Sequence, residues 1–275
     1  MSTFCYFNGS IIPFTKAVLP VTDLGLLRAY AVFDFLRTYK GKPFMLKEHM
    51  TRFRNSAKLL GLKVPITDKE ALEIIQALMK KNKMSEVSVR LVLTGGDTFG
   101  AKIDNKQRSF FILTEPIHML PVKSYTDGVK VVTHIYERSF PTAKTTHYTV
   151  ALADAQRRKK EKALETLFVF GANVLECTTS NFFIFKGDIL ITPKDHILLG
   201  MTRNKVVDIA RKYFTVEERD VVVSELTAAD EAFLTATNKE IVPVVMIDKT
   251  HVGNGRVGEN TKKLIKLFQE YVNAL

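Results

Sequence analysis

Hydrophobic and polar positions in the first 114 residues switch between a strand period and a helix period. Phe4 to Phe7 alternate and precede the turn Asn8-Gly9, which predicts a β-hairpin. From Leu46 to Leu60 apolar side chains recur at helical spacing, with Gly61 where such a helix would end. A second helix is predicted to begin at Thr67-Asp68. Buried strands are predicted over 32–39, 87–94 and 109–114.

After residue 114 the hydrophobic periodicity is interrupted by a short segment and then continues to the end of the chain. Glu115 to Pro121 holds two prolines in seven residues and fits neither period, which is typical of a linker. The later part predicts helices near 148–163, 203–213 and 260–272, and strands over 129–135, 166–170, 181–185, 189–192, 221–223, 231–235 and 242–247. We therefore predict an α+β domain over 1–114, a linker over 115–122 and a second domain over 123–275.

The composition narrows the class of protein. The chain has 275 residues, of which 46% are hydrophobic and 25% charged, as in a folded globular protein. No apolar run approaches the ~20 residues that cross a bilayer, and the N-terminus lacks the pattern of a signal peptide. Two cysteines are too few for a disulfide framework. These features favour a cytoplasmic protein without a membrane partner.

The net charge of +11 raises the alternative of a basic nucleic-acid-binding protein. The densest basic run, Arg157 to Lys160, lies beside Glu161 and Glu165 and has no interleaved aromatic residues, which is typical of a solvated helix face. A positive surface potential also attracts small anionic cofactors and carboxylate substrates. Charge alone leaves both classes open, although we expect no nucleic-acid partner. The six histidines show no metal-ligand spacing, so no metal site is predicted.

Gly253 to Gly258 matches the dinucleotide-binding pattern GxGxxG. Such a site needs a further strand and an acidic residue about 20 positions later. Only 17 residues follow Gly258, and they read as one helix. The motif is therefore interpreted as a turn.

Two charged residues stand alone in otherwise uncharged stretches. Lys144 carries the only formal charge between Ser139 and Ala153, and Glu176 the only one between Gly171 and Phe185. Partial desolvation lowers the pKa of a lysine amine and frees it for Schiff-base chemistry. The plainer alternatives are a surface lysine on an irregular strand and a glutamate that caps a turn.

Four ordered stretches carry a resemblance to a known family. They are Phe44–Ala57, Leu175–Phe183, Leu199–Arg203 and Phe233–Asn238. With them the chain resembles the class IV, or fold-type IV, aminotransferases, which use pyridoxal 5′-phosphate and include D-amino-acid and branched-chain aminotransferases and aminodeoxychorismate lyase. The resemblance implies a two-domain α+β and α/β fold, with a small N-terminal α+β domain and a larger C-terminal pseudo-barrel domain that binds the cofactor.

The resemblance also implies roles for individual residues. Lys144 matches the Schiff-base lysine, and Tyr148 matches the position beside the 3-oxygen of the cofactor. Glu176 matches the carboxylate at the pyridine nitrogen, which it keeps protonated so that the ring can act as an electron sink. The positions that match phosphate-binding residues are Arg52, Met201 through its backbone, Thr202 and Thr237.

The substrate positions depart from the usual family patterns. Arg28 stands where an aromatic residue is usual, and Arg90 aligns with an arginine of branched-chain enzymes whose companion tyrosine is here Ser88. Gly95 lies near the place where D-amino-acid enzymes carry their carboxylate-binding arginine. We expect Arg28 and Arg90 to bind substrate carboxylates, with Arg28 a candidate to act from a partner subunit. The remaining predicted substrate contacts are Phe33 and Asn238.

The predicted activity is transamination between an amino acid and a 2-oxo acid such as 2-oxoglutarate, in a homodimer with its active site at the subunit interface. The stretch Gly253 to Leu264 resembles the D-amino-acid branch, which favours D-alanine or D-glutamate as donor. Branched-chain L-amino-acid transamination is the first alternative and aminodeoxychorismate lyase the second. A family member without catalytic activity also stays open.

Overall fold

The computed structural model describes residues 3–97 and 106–275, which form two compact units. The first unit holds the described residues up to His118 together with Ala143–Tyr148, and the second holds Met119–Thr142 and Thr149–Leu275. The boundary at His118 lies within the predicted linker. The segment Ala143–Tyr148, which the sequence pattern assigned to the C-terminal domain, instead belongs to the first unit.

Backbone hydrogen bonds explain this difference. The segment Ala143–Tyr148 runs beside a strand of the first unit, where the Phe33 N–H donates to the Lys144 carbonyl at 2.9 Å and the Thr146 N–H donates to the Ala31 carbonyl at 3.0 Å. Such pairing joins residues more than 100 positions apart, so no local pattern reports it. It places Lys144 in the first unit.

Over its described residues, the first unit is a six-stranded sheet with two long helices, and its strand order is β2-β1-β6-β5-β3-β4. The neighbouring pairs are antiparallel. Its elements are β1 (Phe4–Phe7), β2 (Ser10–Pro13), α1 (Leu24–Arg28), β3 (Ala31–Tyr39), β4 (Lys42–Pro43), α2 (Leu46–Leu59), α3 (Asp68–Lys81), β5 (Ser88–Thr94) and β6 (Phe110–Glu115), with a short 3-10 turn at Phe14–Lys16.

The two long helices begin and pack as their sequences dictate. Thr67 caps α3, because its hydroxyl accepts from the Glu70 N–H while the Glu70 carboxylate accepts from the Thr67 N–H. Gly61 follows α2 with a φ of +66°, a conformation that favours glycine. The α2 face carrying Met50, Phe53 and Ala57 is buried in the core of this unit.

The second unit is a ten-stranded sheet with helices, ordered β12-β11-β10-β14-β15-β7-β8-β9-β13, with β16 paired to β15. The pairs β11–β12, β15–β7 and β7–β8 are parallel. Its elements are α4 (Lys123–Thr126), β7 (Val129–Ile135), α5 (Thr149–Ala153), α6 (Ala155–Lys160), β8 (Glu165–Phe170), β9 (Asn173–Cys177), β10 (Asn181–Lys186), β11 (Ile189–Thr192), α7 (Met201–Ala210), β12 (Thr215–Glu218), β13 (Val221–Val222), α8 (Glu225–Ala228), β14 (Glu231–Ala236), β15 (Glu240–Ile247), β16 (Thr250–His251) and α9 (Glu259–Asn273).

The single helix predicted over 148–163 is wrong. Two short helices, α5 and α6, replace it, and they meet at Asp154, whose buried carboxylate accepts a hydrogen bond from the Thr166 hydroxyl. The chain leaves α6 through Lys162, which has a φ of +53°, and the Leu164 N–H then joins the Lys130 carbonyl. Tertiary bonds therefore override a continuous helical pattern.

The strand β9 and the GxGxxG stretch differ in how well the sequence pattern predicts them. The strand β9, which carries Glu176, was not predicted. The GxGxxG stretch forms the turn expected of it, with Gly253 and Gly255 at positive φ and Gly258 just before α9. Within the described ranges, the helices are too short or too polar to pass through a bilayer.

Candidate active site

Lys144 is fixed by its backbone on both sides. Its N–H donates to the hydroxyl of buried Ser56 on α2 at 3.0 Å, and its carbonyl accepts from the Phe33 N–H on β3. The Nζ atom lies 4.6 Å from the centroid of the Phe33 ring, a cation–π contact. The amine therefore projects from a rigid, half-buried backbone segment.

Several of the predicted residues meet around the ring of Phe33. The Tyr148 ring lies 5.8 Å from the Phe33 ring, and the Arg90 guanidinium lies 5.8 Å from the Phe33 centroid and 5.0 Å from that of Phe35. We call Phe33, Tyr148, Arg90 and Lys144 the Phe33 cluster. The structure thus brings the amine of Lys144, a phenol and a guanidinium to one aromatic ring.

Arg52 belongs to a buried ion cluster with Asp34 and His49, which we call the Asp34 cluster. Arg52 Nε donates to Asp34 Oδ2 at 2.9 Å and Nη2 to Oδ1 at 2.8 Å, while His49 Nδ1 lies 2.6 Å from Oδ1. Burial alone would raise the pKa of Asp34, but Arg52 and His49 hold it well below its usual value. Burial lowers the pKa of His49, and the neighbouring carboxylate of Asp34 acts in the opposite direction.

Neither Asp34 nor His49 was predicted as a functional residue. A signal for Asp34 is present, since it is the only charge in the apolar stretch Ala31 to Leu36. His49 and Arg52 are three residues apart and share one face of α2, so they meet the same carboxylate. Asp34 fixes the plane of the Arg52 guanidinium.

Glu176 lies near the end of β9 with both carboxylate oxygens engaged. Oε1 accepts from Arg138 Nε at 2.8 Å and lies 2.6 Å from Nη2, and Oε2 accepts from the Leu198 N–H at 3.1 Å. The residue is buried. Arg138 was missed in the sequence, because nothing local relates it to a carboxylate 38 positions away.

Asn181 and Gly200 shape the start of α7, which carries Met201 and Thr202. The Gly200 N–H donates to Asn181 Oδ1 at 3.1 Å, and Asn181 Nδ2 donates to the Leu198 carbonyl at 2.7 Å. A Cβ at Gly200 would lie 2.2 Å from Asn181 Oδ1, so this close approach requires glycine. No side chain among the described residues caps α7, and its first N–H groups are the kind of donors that bind a phosphate.

Thr237 and Asn238 lie in the turn between β14 and β15. The Lys239 N–H closes this turn by donating to the Ala236 carbonyl at 3.1 Å. Nearby, the hydroxyl of Thr235 is buried and has no hydrogen-bond partner within the described ranges. Hydroxyls, helix-start N–H groups and an unsatisfied buried donor form a set that fits a dianionic phosphate.

Other candidate residues make contacts with the backbone. Arg28 is exposed at the end of α1, where its Nη1 donates to the Leu27 carbonyl, so it is not part of the Phe33 cluster. In the basic run, Arg157 and Arg158 each donate to a backbone carbonyl. Throughout the part of the chain that the structure describes, no group of three or more histidine, cysteine or acidic side chains could hold a metal ion.

Comparison with known proteins identifies the family. The chain matches the family model for amino-transferase class IV over residues 31–247 and belongs to this family. A Methanocaldococcus jannaschii protein named "Putative branched-chain-amino-acid aminotransferase" is 33% identical, with 96% of this chain and 95% of the relative covered. A D-alanine aminotransferase of Listeria monocytogenes is 27% identical, with 96% and 94% covered.

Solved structures agree with this assignment. The branched-chain amino acid aminotransferase of Escherichia coli superimposes with a TM-score of 0.91 at 25% identity, covering 98% of this chain and 94% of that one. The T.th. branched-chain enzyme with pyridoxamine 5′-phosphate gives a TM-score of 0.89 at 25% identity, covering 99% and 94%.

The comparisons confirm the coarse predictions from the sequence. The fold is that of the fold-type IV enzymes, the activity is transamination between amino acids and 2-oxo acids, and the cofactor is pyridoxal 5′-phosphate. The D-amino-acid preference is not among the confirmed points, since the relatives that match the chain include proteins named for branched-chain amino acids as well as D-alanine aminotransferases. The roles of individual residues stay predictions.

Proposed function

We propose that the protein transfers the amino group of a branched-chain L-amino acid to a 2-oxo acid such as 2-oxoglutarate. The observation that carries this proposal is the position of Arg90, whose guanidinium shares the Phe33 ring with the Lys144 amine. A guanidinium that contacts the same aromatic ring as the proposed catalytic amine suits a substrate carboxylate. The resemblance places the arginine of branched-chain enzymes at Arg90, and the 33% identical relative carries a branched-chain name.

A D-amino acid such as D-alanine or D-glutamate is the second candidate donor. Its support is the similarity to the Listeria D-alanine aminotransferase, which extends over 96% of this chain. Gly95 speaks against it, because it stands near the position of the carboxylate-binding arginine of such enzymes. A Cβ there would lie 2.7 Å from Cδ1 of Tyr30, which leaves no room for a longer side chain.

In the proposed reaction Lys144 moves the proton. Its Nζ acts as general base at the substrate Cα and as general acid at C4′ of the cofactor. Pyridoxal 5′-phosphate, when bound, supplies a ring that withdraws electrons from the substrate carbon. The fixed position of the Lys144 backbone keeps the amine oriented for both transfers.

Other residues hold the cofactor and the substrate. Glu176 would pair with the pyridine nitrogen of the cofactor, and Arg138 and the Leu198 N–H fix its carboxylate. Tyr148 would contact the 3-oxygen of the cofactor, while Phe33 and Asn238 would contact the substrate. The proposed phosphate ligands are Arg52, the Met201 backbone, Thr202 and Thr237.

The first experiment is visible absorption of the purified holoenzyme without an acceptor. L-leucine is added to one sample, and D-alanine or D-glutamate to another. Loss of the cofactor's visible band with L-leucine alone would support the branched-chain proposal. Loss of the band with the D-amino acids alone would replace it by the second candidate, and a protein that gains no band with excess cofactor would contradict both.

Replacing the proposed catalytic lysine tests its role directly. We expect Lys144→Ala to lower kcat by about 10³-fold or more, because proton transfer at the substrate carbon loses its base. Lys47→Ala, on the exposed face of α2 in the same unit, is the matched control and should leave kcat unchanged. Substantial turnover by a folded Lys144→Ala protein would refute the assignment.

The proposed carboxylate contacts are tested through KM. Arg90→Ala and Arg28→Ala should each raise the KM for 2-oxoglutarate by about tenfold or more, since a charge-assisted hydrogen bond is lost. The KM for a monocarboxylic 2-oxo acid serves as the internal control and should change less. Equal increases for both acceptors would assign the contact to the α-carboxylate that both acceptors carry, and an unchanged KM in both variants would contradict the proposed contacts.

A homodimer and a cytoplasmic location belong to the same proposal. Val21, Leu26 and Leu27, close to Arg28, are 78%, 64% and 49% exposed, an apolar surface that a second copy of the chain could cover. Both cysteines are free and buried, as suits a reducing compartment. Light scattering on the purified protein should give twice the chain mass of 31.1 kDa.

A further inference from the structure

Glu165, the first residue of β8, is a buried carboxylate outside the machinery proposed above. Its Oε2 accepts from the Thr178 hydroxyl at 2.7 Å and from the Thr179 N–H at 2.8 Å. Its Oε1 accepts from the Thr179 hydroxyl at 2.9 Å, from the Ser180 hydroxyl and from Lys239 Nζ. The carboxylate thus accepts from five donors. Four of them belong to Thr178–Ser180, so Glu165 holds the turn that follows Glu176 and Cys177.

The cation in this network comes from a different turn. Lys239 directly follows Thr237 and Asn238 between β14 and β15, and its side chain is 18% exposed. Besides Glu165, its Nζ contacts the Thr179 hydroxyl at 2.7 Å and the Ser180 hydroxyl at 3.3 Å. One ammonium group therefore ties the Thr237–Lys239 turn to the Thr178–Ser180 turn.

The Thr237–Lys239 turn leads into a residue with left-handed backbone geometry. Glu240, which ends the turn, has a φ of +56°, in the left-handed region that favours glycine. A non-glycine residue stays there only where surrounding contacts determine its conformation. Lys239, the residue just before Glu240, supplies side-chain contacts of this kind.

The donors around Glu165 favour its charged form. Burial alone would raise the pKa of Glu165, but Lys239 and the hydroxyl donors lower it to about 2. A buried ion pair is weak evidence for stability, since an apolar replacement is often as stable, and its best-supported use is to specify one arrangement. Here the specified arrangement is that of the turn.

We infer that Lys239, anchored by Glu165, is a positioning residue that holds Thr237 and Asn238 in the conformation that receives the phosphate of pyridoxal 5′-phosphate. This inference rests on the proposed role of Thr237 as a phosphate ligand. Lys239 acts through the turn and not by contact with the cofactor.

The experiment measures equilibrium binding to the apoprotein, not activity. Two probes are titrated, pyridoxal 5′-phosphate and pyridoxal, which lacks the phosphate. Lys239→Met should raise the Kd for pyridoxal 5′-phosphate by about tenfold and change the Kd for pyridoxal by less than about twofold. Lys239→Arg keeps the charge and should restore most of the affinity.

Lys249→Met is the matched control. Lys249 is exposed just beyond the other end of β15, and its removal changes the net charge by the same amount. If both methionine variants weaken phosphate binding equally, the effect is one of net charge and the inference is wrong. It is also wrong if Lys239→Met binds both probes as the wild type does.

A second variant separates positioning from stability. Lys239→Met leaves a buried carboxylate without its cation, which can destabilise the fold. Glu165→Gln combined with Lys239→Met removes the buried charge and should recover the Tm of the apoprotein while the affinity for pyridoxal 5′-phosphate stays low. Recovery of both would show that Lys239 acts through stability alone.

Failure of the proposed function would look different. A wild-type protein that binds pyridoxal 5′-phosphate no more tightly than pyridoxal would contradict the phosphate site itself, and this inference with it. Tight wild-type binding with an unaffected Lys239→Met variant would contradict the positioning role only.

Discussion

Two buried carboxylates, one in each unit, are stabilised as anions by different kinds of cationic partner. Asp34 is fully buried and accepts two parallel hydrogen bonds from the Arg52 guanidinium, and the imidazole of His49 also contacts its Oδ1. Glu165 is 2% exposed and meets an ammonium group together with donors from a polar turn. Both carry a charge where solvent cannot stabilise it, and in both the pKa lies below its usual value.

The difference lies in what each carboxylate orients. A guanidinium is planar, so two bonds from Asp34 fix the orientation of Arg52 itself. An ammonium group is a point charge without a preferred plane, so Glu165 needs the hydroxyls of Thr178–Ser180 to define where Lys239 lies. The first carboxylate aligns a proposed phosphate ligand directly, and the second aligns the turn that holds one.

The largest expected effect comes from removing Asp34. Asp34→Ala leaves Arg52, which is 11% exposed, as a nearly buried charge without its anionic partner. We expect the free energy of unfolding to fall by about 3–5 kcal/mol, as when one member of a buried ion pair is removed. Urea unfolding of the apoprotein measures this loss.

Asp34→Asn is the informative companion variant. It keeps the shape and an acceptor oxygen but not the negative charge, so it separates the charge from the hydrogen bonds. A loss below about 1 kcal/mol in Asp34→Ala would mean that Arg52 is better solvated than its burial indicates, and the two carboxylates would no longer be comparable.

The next effect is the dependence of stability on pH. The pKa of Glu165 falls from 4.5 to about 2 on folding. A group with a depressed pKa contributes stability above its unfolded value and loses that contribution as the pH falls through its folded value. We expect on the order of 3 kcal/mol to be lost between pH 5 and pH 2.

Glu165→Gln isolates this contribution. The pKa of Asp34 is also lowered, so Asp34 likewise loses its contribution to the free energy of unfolding at low pH. The wild-type curve alone therefore does not separate the contributions of Asp34 and Glu165. The slope of unfolding free energy against pH should be flatter in Glu165→Gln than in the wild type, whatever the offset between them. Parallel slopes would show that Glu165 titrates in the folded protein as it does in the unfolded chain.

Local patterns were sufficient for most of the secondary structure. The Thr67 cap, the Asn8-Gly9 turn and the strand period after Ala31 act over a few residues, so they are readable from sequence. The strand β9 was missed because four of its five residues are buried, which removes the alternation that marks a half-exposed strand. Its neighbours Thr178–Ser180 read as loop.

The residues of the candidate site likewise include some that local sequence indicates and some that it does not. Lys144 and Glu176 stand out locally as isolated charges. The sequence gives no such local signal for the supporting residues Arg138 and Lys239, and none that relates Asp34 to Arg52. Each of these residues interacts with a partner that only the fold brings near; Glu165 and Lys239, for example, are 74 positions apart. Supporting residues of this kind are therefore the part of a site that a single sequence predicts least well.

The smallest expected effect is at an exposed ion pair in the same unit as Asp34. Arg54 Nη2 lies 2.6 Å from Asp68 Oδ1, but the two side chains are 40% and 37% exposed. Asp68 is also the first residue of α3, so Asp68→Ala removes a favourable charge at a helix N-terminus as well as the pair. A double-mutant cycle with Arg54→Ala subtracts the contribution of Asp68 at the helix N-terminus. We expect a coupling energy between Arg54 and Asp68 below about 1 kcal/mol, and we expect it to weaken further in 1 M salt. A salt-insensitive coupling as large as that between Asp34 and Arg52 would show that contact geometry, not burial, determines the strength of these pairs.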